Sequence, residues 1–284
     1  FLTPLPMRHA MHPKNITSTA RPGGISDAEI AVIIPARLAA SRLPGKPLAM
    51  IGDAPMIVQV MRRAMEAGFG QPGGSRVVVA CDDASIAEAV TAHSGEAVMT
   101  DPQHPSGSDR VHEAIDAIDP DGRIRVVINL QGDLPEIDAS ILWPLADALI
   151  AGNAAIATPV APATEAEIGL DQVVKAVIAF PHGDPASVPD AGTTGQVLYF
   201  SRCPVPHGGT TATPVWHHVG IYAWQREALA RFVSLPPSPL EKTERLEQLR
   251  ALEDGMAITA LVVDSAPGGI DTPDDLAAAR LRFE

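Results

Sequence analysis

The sequence predicts an α/β fold: a mostly parallel sheet with helices on both faces, joined by a smaller β-rich excursion. Three observations carry that prediction. Over the first half, short apolar runs alternate with segments of helical periodicity. In the second half, apolar runs follow one another without a helix between each pair. Hydrophobic residues make up 46% of the 284-residue chain against 19% charged, which is enough for a sizeable core. Aromatics are only 4%, so that core is expected to be built mainly from Ala, Val, Leu and Ile.

The elements follow in order. Residues 1–27 are rich in Pro, Thr and Gly and lack the apolar stretch of a secretory signal. They read as a disordered extension or an expression remnant, which leaves 28–284 as a single domain. Ile30 to Ile34 is an apolar run ending at Pro35, a buried strand, and a polar loop from Ala36 to Lys46 follows it. A helix opens at Pro55-Met56, where Met56, Ile57, Val60, Met61, Ala64 and Met65 share one face. Gly68 is its stop. Then come a strand at Val77–Ala80, a helix at Ala84–His93, a strand at Ile124–Leu130 and a helix at Ile137–Ala151. This alternation implies right-handed βαβ units. Val173–Phe180, Val197–Ser201 and His218–Trp224 are strands of the antiparallel excursion, with a Pro-, Gly- and Asp-rich loop at 181–195. Leu240–Glu253 reads as one helix and Ile258–Val263 as a last strand. Thr272 and Pro273 open the final helix as N-cap and first residue.

The formal net charge of −13 argues against a nucleic-acid partner, which needs basic surface. A few cations in one pocket can still hold a small anionic substrate. No apolar run approaches the ~18 residues of a membrane span, so no membrane partner is expected. Cys81 and Cys203 have no ligand spacing around them and read as buried, reduced thiols of a cytoplasmic protein.

Several segments carry possible chemistry. After the first strand, Arg37, Arg42 and Lys46 fall within ten residues, beside Gly45. Ligands of open α/β sheets bind at the carboxyl ends of strands. Two guanidinium forks and a point charge can hold phosphates there, although a solvated basic loop has the same composition. It is not a Walker A loop, because Pro47 follows Lys46. Asp133, after Gly132, lies just past a buried strand, where it can serve Mg²⁺ or simply form a turn. Asp271 precedes the last helix and reads by itself as an acid at a helix start. Ser106-Gly107-Ser108 is a turn, with Ser108 as the expected N-cap of the next helix. His217 and His218 are neighbours on a strand and face opposite ways, so they are not a metal pair.

Taken together, these segments resemble one family. IPARLAASRLPGKPL at 34–48, HPSGSDR at 104–110, NLQGDLP at 129–135, YFSR at 199–202, HHVGIY at 217–222, PSPLE and LEQLR at 237–250, and GIDTPDDL at 269–276 resemble the signatures of the 3-deoxy-manno-octulosonate (KDO) cytidylyltransferases. The resemblance implies a Rossmann-like, nucleotide-diphospho-sugar transferase-like sheet whose β-rich part serves dimerisation and sugar binding. It implies transfer of CMP from CTP to KDO for lipopolysaccharide biosynthesis, by a homodimer.

The same resemblance assigns residues. Ala36, Arg37, Arg42 and Lys46 would wrap the triphosphate, with Lys46 and Arg37 stabilising charge at the reacting phosphorus. Asp133 and Asp271 would hold Mg²⁺. Ser106, Gly107 and Arg110 would lie over cytosine and ribose, and Gln131 near the sugar or α-phosphate. Arg202 would clamp the sugar carboxylate, and His218, Tyr222, Glu247 and Gln248 would bind the rest of the sugar. Glu241 is expected to be structural. Two departures stand out: Leu134 replaces a family Glu, and Ala223-Trp224 replaces Gly-Tyr. The alternatives are another 2-keto sugar acid, of the amino-KDO or sialic-acid type, and a non-catalytic nucleotide-binding protein on the same fold.

Overall fold

A computed structural model describes residues 21–39, 43–180, 188–208 and 214–283. Strand β1 (Ile30–Ala36) shows why the sheet is covered on both sides. Ile30, Val32, Ile34 and Ala36 point into one apolar cluster, while Ala31 and Ile33 point into the other. With a side-chain period of two, a strand that is apolar throughout must be buried on both faces.

A short hairpin, β2 (Met50–Ile51) and β3 (Ala54–Pro55), leads into helix α1 (Met56–Glu66). The chain continues through β4 (Arg76–Cys81), α2 (Ala84–Ala92), β5 (Glu96–Met99), α3 (Gly107–Ile118), β6 (Val126–Asn129) and α4 (Leu142–Ala151). Then come β7 (Ile156–Pro162), α5 (Glu165–Ile168), β8 (Lys175–Ala179), β9 (Thr194–Ser201), β10 (Trp216–His218) and β11 (Tyr222–Gln225). The last elements are α6 (Arg226–Ser234), α7 (Pro239–Glu244), α8 (Gln248–Glu253), β12 (Ile258–Val262) and α9 (Pro273–Arg282). Helices α1, α2 and α4 pack on one face, and α3, α6 and α8 on the other. Helix α9 adds a satellite cluster in which Leu276 and Ala279 meet Met56 and Ile51.

Apart from the β2-β3 hairpin, the described strands form one large sheet in the order β10-β8-β9-β12-β7-β11-β6-β1-β4-β5. It is mixed, which corrects the expectation of a mostly parallel sheet. Parallel pairing is confined to β6-β1-β4-β5 and to β7 with β12. Strand β11 enters antiparallel between β6 and β7. Strands β8, β9 and β10 are antiparallel to their neighbours. Because β10 also pairs with β7, the strands β7, β12, β9, β8 and β10 close into a five-stranded barrel.

Two expected elements are divided. The run His218–Trp224 is two strands that lie along one edge of β7 and then part, β10 toward β8 and β11 toward β6. At the break, Thr158 Oγ1 lies 2.8 Å from the Ile221 carbonyl, 3.2 Å from the Val219 carbonyl and 2.9 Å from His218 Nε2. One buried hydroxyl thus meets the polar groups that the break frees from the ladder. The helix expected over 240–253 is α7 and α8, separated where Arg245 takes the left-handed backbone at φ 57°. Strands β5 and β7 and helix α6 were not predicted. Residues 21–27 belong to the fold, against expectation: Arg21 pairs with Asp27 and Asp147, stacks over Trp143, and Ile25 is buried.

Candidate active site

The carboxyl ends of β1 and β6 and the N-terminus of α3 enclose a cavity of about 330 Å³. On its first side Ala36 ends β1, and Arg37 follows it, exposed. The loop is tied down by Leu38 N–H, which donates to Asp82 at 2.9 Å. Gly45, at φ 68°, takes a conformation costly for any residue with a Cβ, and so starts the 3-10 turn that carries Lys46. Arg42 lies outside the described residues.

Lys46 is the centre of this side. Its ammonium donates to Asp133 at 2.9 Å and to Asp271 at 3.1 Å. Asp133 stands on the turn after β6, where a Cβ on Gly132 would lie 2.8 Å from the Pro35 carbonyl. Only glycine lets that turn press against the end of β1. Asp271 precedes the N-cap of α9, where Thr272 and Asp275 form a capping box and Asp275 also accepts from the Asp271 N–H. A backbone bond from Ile270 N–H to the Asp133 carbonyl, 3.0 Å, ties the two acidic segments together. Two carboxylates 138 residues apart in sequence (271 minus 133) therefore meet one cation. Among the described residues no group of three or more His, Cys, Asp or Glu could hold a metal ion.

Across the cavity stands the start of α3. Its N-cap is Ser106 and not the expected Ser108: the Ser106 side chain accepts from the Ser108 and Asp109 N–H groups. Ser106 also donates to Asp109 at 2.7 Å. An acid three residues on makes Ser106 the better cap. Ser108 is instead buried and donates to Glu247 at 2.8 Å. Arg110 lines the cavity but is buried, held by the Thr100 hydroxyl and by Asp82 at 3.6 Å. Asp82 thus fixes both the first loop and Arg110. Sequence reasoning missed it, although an acid directly after a strand was a visible signal.

Gln131 lines the cavity beside Asp133. The remaining expected sugar residues do not line it. His218 and Tyr222 are buried on the barrel side of the sheet, with ring centroids 5.5 Å apart. Burial, and His217 beside it, push His218 down to about 3, so it is neutral near pH 7. Burial pushes the Tyr222 hydroxyl upward, as does Glu247. Burial likewise raises the Glu247 carboxyl, against the lowering effect of Ser108, Ser106 and Arg250. Through Ser108 and Ser106, Glu247 is coupled to the cavity wall, and the buried Gln248 follows it.

Arg202 is not brought to this cavity. Its guanidinium donates to the carbonyls of Glu244, Asp171 and Arg245 at 2.8, 2.9 and 3.2 Å. It pins the end of α7, where free carbonyls need donors. Glu241 is structural as expected, paired twice with Arg250 at 2.8 and 2.5 Å. Cys81 is buried, but Cys203 is exposed, contrary to expectation.

The chain was then compared with known proteins. The sequence profile of a family described as Cytidylyltransferase matches residues 31–258. A protein of Parvibaculum lavamentivorans named 3-deoxy-manno-octulosonate cytidylyltransferase is 52% identical over 250 residues, 88% of this chain and 90% of the relative. Its namesake in Nitrobacter winogradskyi is 54% identical over 254 residues, 88% of this chain and 92% of the relative.

This chain belongs to the 3-deoxy-manno-octulosonate cytidylyltransferase family.

A solved structure of CMP:2-keto-3-deoxy-manno-octonic acid synthetase complexed with CTP superposes with a TM-score of 0.77 at 35% identity, covering 89% of this chain and 98% of that one. The departures of this cytidylyltransferase have structural places. Leu134 is buried in the apolar cluster on the α1 face and does not line the cavity. Trp224 is buried against Phe232, with ring centroids 4.9 Å apart. Among the described residues no helix is long and apolar enough to cross a membrane.

Proposed function

We infer that this cytidylyltransferase transfers CMP from CTP to the anomeric hydroxyl of KDO, giving CMP-KDO and pyrophosphate for lipopolysaccharide assembly. The observation that carries the reading is the convergence of Lys46, Asp133 and Asp271 at the strand ends, facing the N-terminus of α3. The bond broken is between the α- and β-phosphates. The bond formed joins the sugar oxygen to the α-phosphorus. No enzyme nucleophile is needed, so the residues act by positioning and by stabilising charge.

The donor set fits Mg²⁺. Two carboxylate oxygens already converge on one cation, both acids are partly exposed, and a hard ion takes one or two carboxylates with waters and phosphate oxygens. Asp133 and Asp271 would hold the ion, which when bound neutralises phosphate charge and makes the attacking hydroxyl more acidic. Lys46 and Arg37 supply fixed positive charge for the phosphates. The α3 N-terminus offers N–H donors beside Ser106 and Gly107. Arg110, locked by Asp82 and Thr100, holds one wall rigid. Gln131 reaches the join between nucleotide and sugar. We assign the sugar half to His218, Tyr222, Glu247 and Gln248, which stand outside the lining of this cavity and between them carry both donors and acceptors. Arg202 reaches a sugar carboxylate only by giving up its backbone partners, so we assign it to the α7 hinge. We further propose a cytoplasmic homodimer, for which light scattering of the purified protein gives the answer.

Pyrophosphate release tests the reading across a panel of acidic sugars with CTP and Mg²⁺. KDO is expected to be the best substrate, and Asp133→Ala to lower kcat at least 100-fold. Preference for an amino-KDO or a sialic acid would move the sugar assignment. CTP binding without release for any sugar would mark a binding protein.

A further inference from the structure

Asn129 ends β6 and is fully buried. Its Oδ1 accepts from Gln131 Nε2 at 3.4 Å. Its Nδ2 has no partner among the described residues. A buried donor left unmet costs its desolvation, so a residue that only filled space here would better be apolar. The fold also gives the amide a direction. Val126 and Ile128 of β6 face the α1 side, and Val127 faces the α3 side. By alternation Asn129 faces the α3 side too. Its register partners are Ile33 on β1 and Tyr222 on β11, and both lie in the α3-side cluster. That is also the side on which Ser108 of α3 meets Glu247. Two residues along the chain, Gln131 lines the nucleotide cavity.

We propose that Asn129 is a substrate-binding residue for the acidic sugar: its Nδ2 donates to a sugar oxygen while its Oδ1 orients Gln131. The proposal rests on the sugar-transfer reading above. It gives the unmet donor a partner that arrives with substrate. It also places a neutral amide between the CTP cavity and the Tyr222–Glu247 group, where a charged residue would face either phosphates or a carboxylate.

The test uses Asn129→Leu, which keeps the branched outline and removes both polar atoms, with the smaller Asn129→Ser as a second variant should the first not fold. Three readings are taken on the full chain: sugar KM in pyrophosphate release, CTP Kd without sugar, and Tm without ligands. The expected result is a sugar KM raised at least tenfold, CTP Kd within twofold of wild type, and a Tm for Asn129→Leu equal to or above wild type. A folded variant with sugar KM within twofold of wild type overturns the proposal. So does a parallel loss of CTP affinity and Tm, or failure of both variants to fold, since each marks a structural role. If the wild-type chain turns over no acidic sugar, the sugar-transfer reading itself fails, and that outcome is distinct from the others.

Discussion

Lys46 joins the two halves of the site. One ammonium holds Asp133 and Asp271 within hydrogen-bond reach, so three chain segments are fixed by a single side chain. His218 illustrates a different use of burial. Its folded state resists protonation down to about pH 3, whereas an unfolded histidine titrates near 6.5. The unfolded state therefore binds more protons between those values, and stability from this group is lost as pH falls below about 6.5. The slope from one such group is about 1.4 kcal/mol per pH unit inside the window. Urea unfolding of wild type and His218→Gln at pH 4.5 to 6.5 checks this: the wild type should show the steeper fall, and equal slopes would refute it. At this scale the sequence was most informative about Ala36, Arg37, Lys46, Ser106, Gly107, Arg110, Gln131, Asp133 and Asp271, all of which line one cavity. The resemblance of their motifs to those of the cytidylyltransferases singled them out; residue type alone left a solvated loop, a turn or a helix-start acid equally open. The partners of Arg202 were not legible, because its acceptors are carbonyls of segments distant in sequence.

At the scale of elements, the breaks matter more than the runs. The part between β10 and β11 lets one edge of β7 serve both the barrel and the main sheet, and Thr158 meets the groups freed there. Thr158→Val keeps the shape and removes the hydroxyl. It is expected to lower unfolding stability by about 1–3 kcal/mol, because a buried carbonyl and an imidazole lose their partner. Guanidinium unfolding reads this directly, and an unchanged midpoint would remove Thr158 from that role. Gly220 marks that break, but the otherwise apolar run His218–Trp224 read as one strand. The same holds for Leu240–Glu253. There the left-handed Arg245 ends one helix in a stretch whose composition suits a longer one, and the turn delivers Glu247 to Ser108. Strand β7, which joins the barrel to the rest of the sheet, was missed because its run contains Pro159 and Pro162 and lacks clean alternation.

For the whole molecule, the first half was read well because local βαβ units are set by nearby sequence. Strands β1, β4 and β6 are parallel as that reading required, and β5, which it did not contain, joins β4 in the same sense. The mixed order of the rest depends on pairings far apart in sequence, such as β7 with β12, which periodicity does not encode. The result places a parallel unit carrying Lys46, Asp133 and Ser106 beside a barrel carrying His218. On the function proposed above, nucleotide chemistry belongs to the first and the acceptor sugar to the space between the two. Phosphorus NMR of the chain with CTP, Mg²⁺ and KDO tests this division of labour most directly. The account predicts that the three CTP resonances give way to one phosphodiester signal and pyrophosphate, and only when KDO is present. Persistence of CTP, or its conversion to CDP and inorganic phosphate, would contradict it.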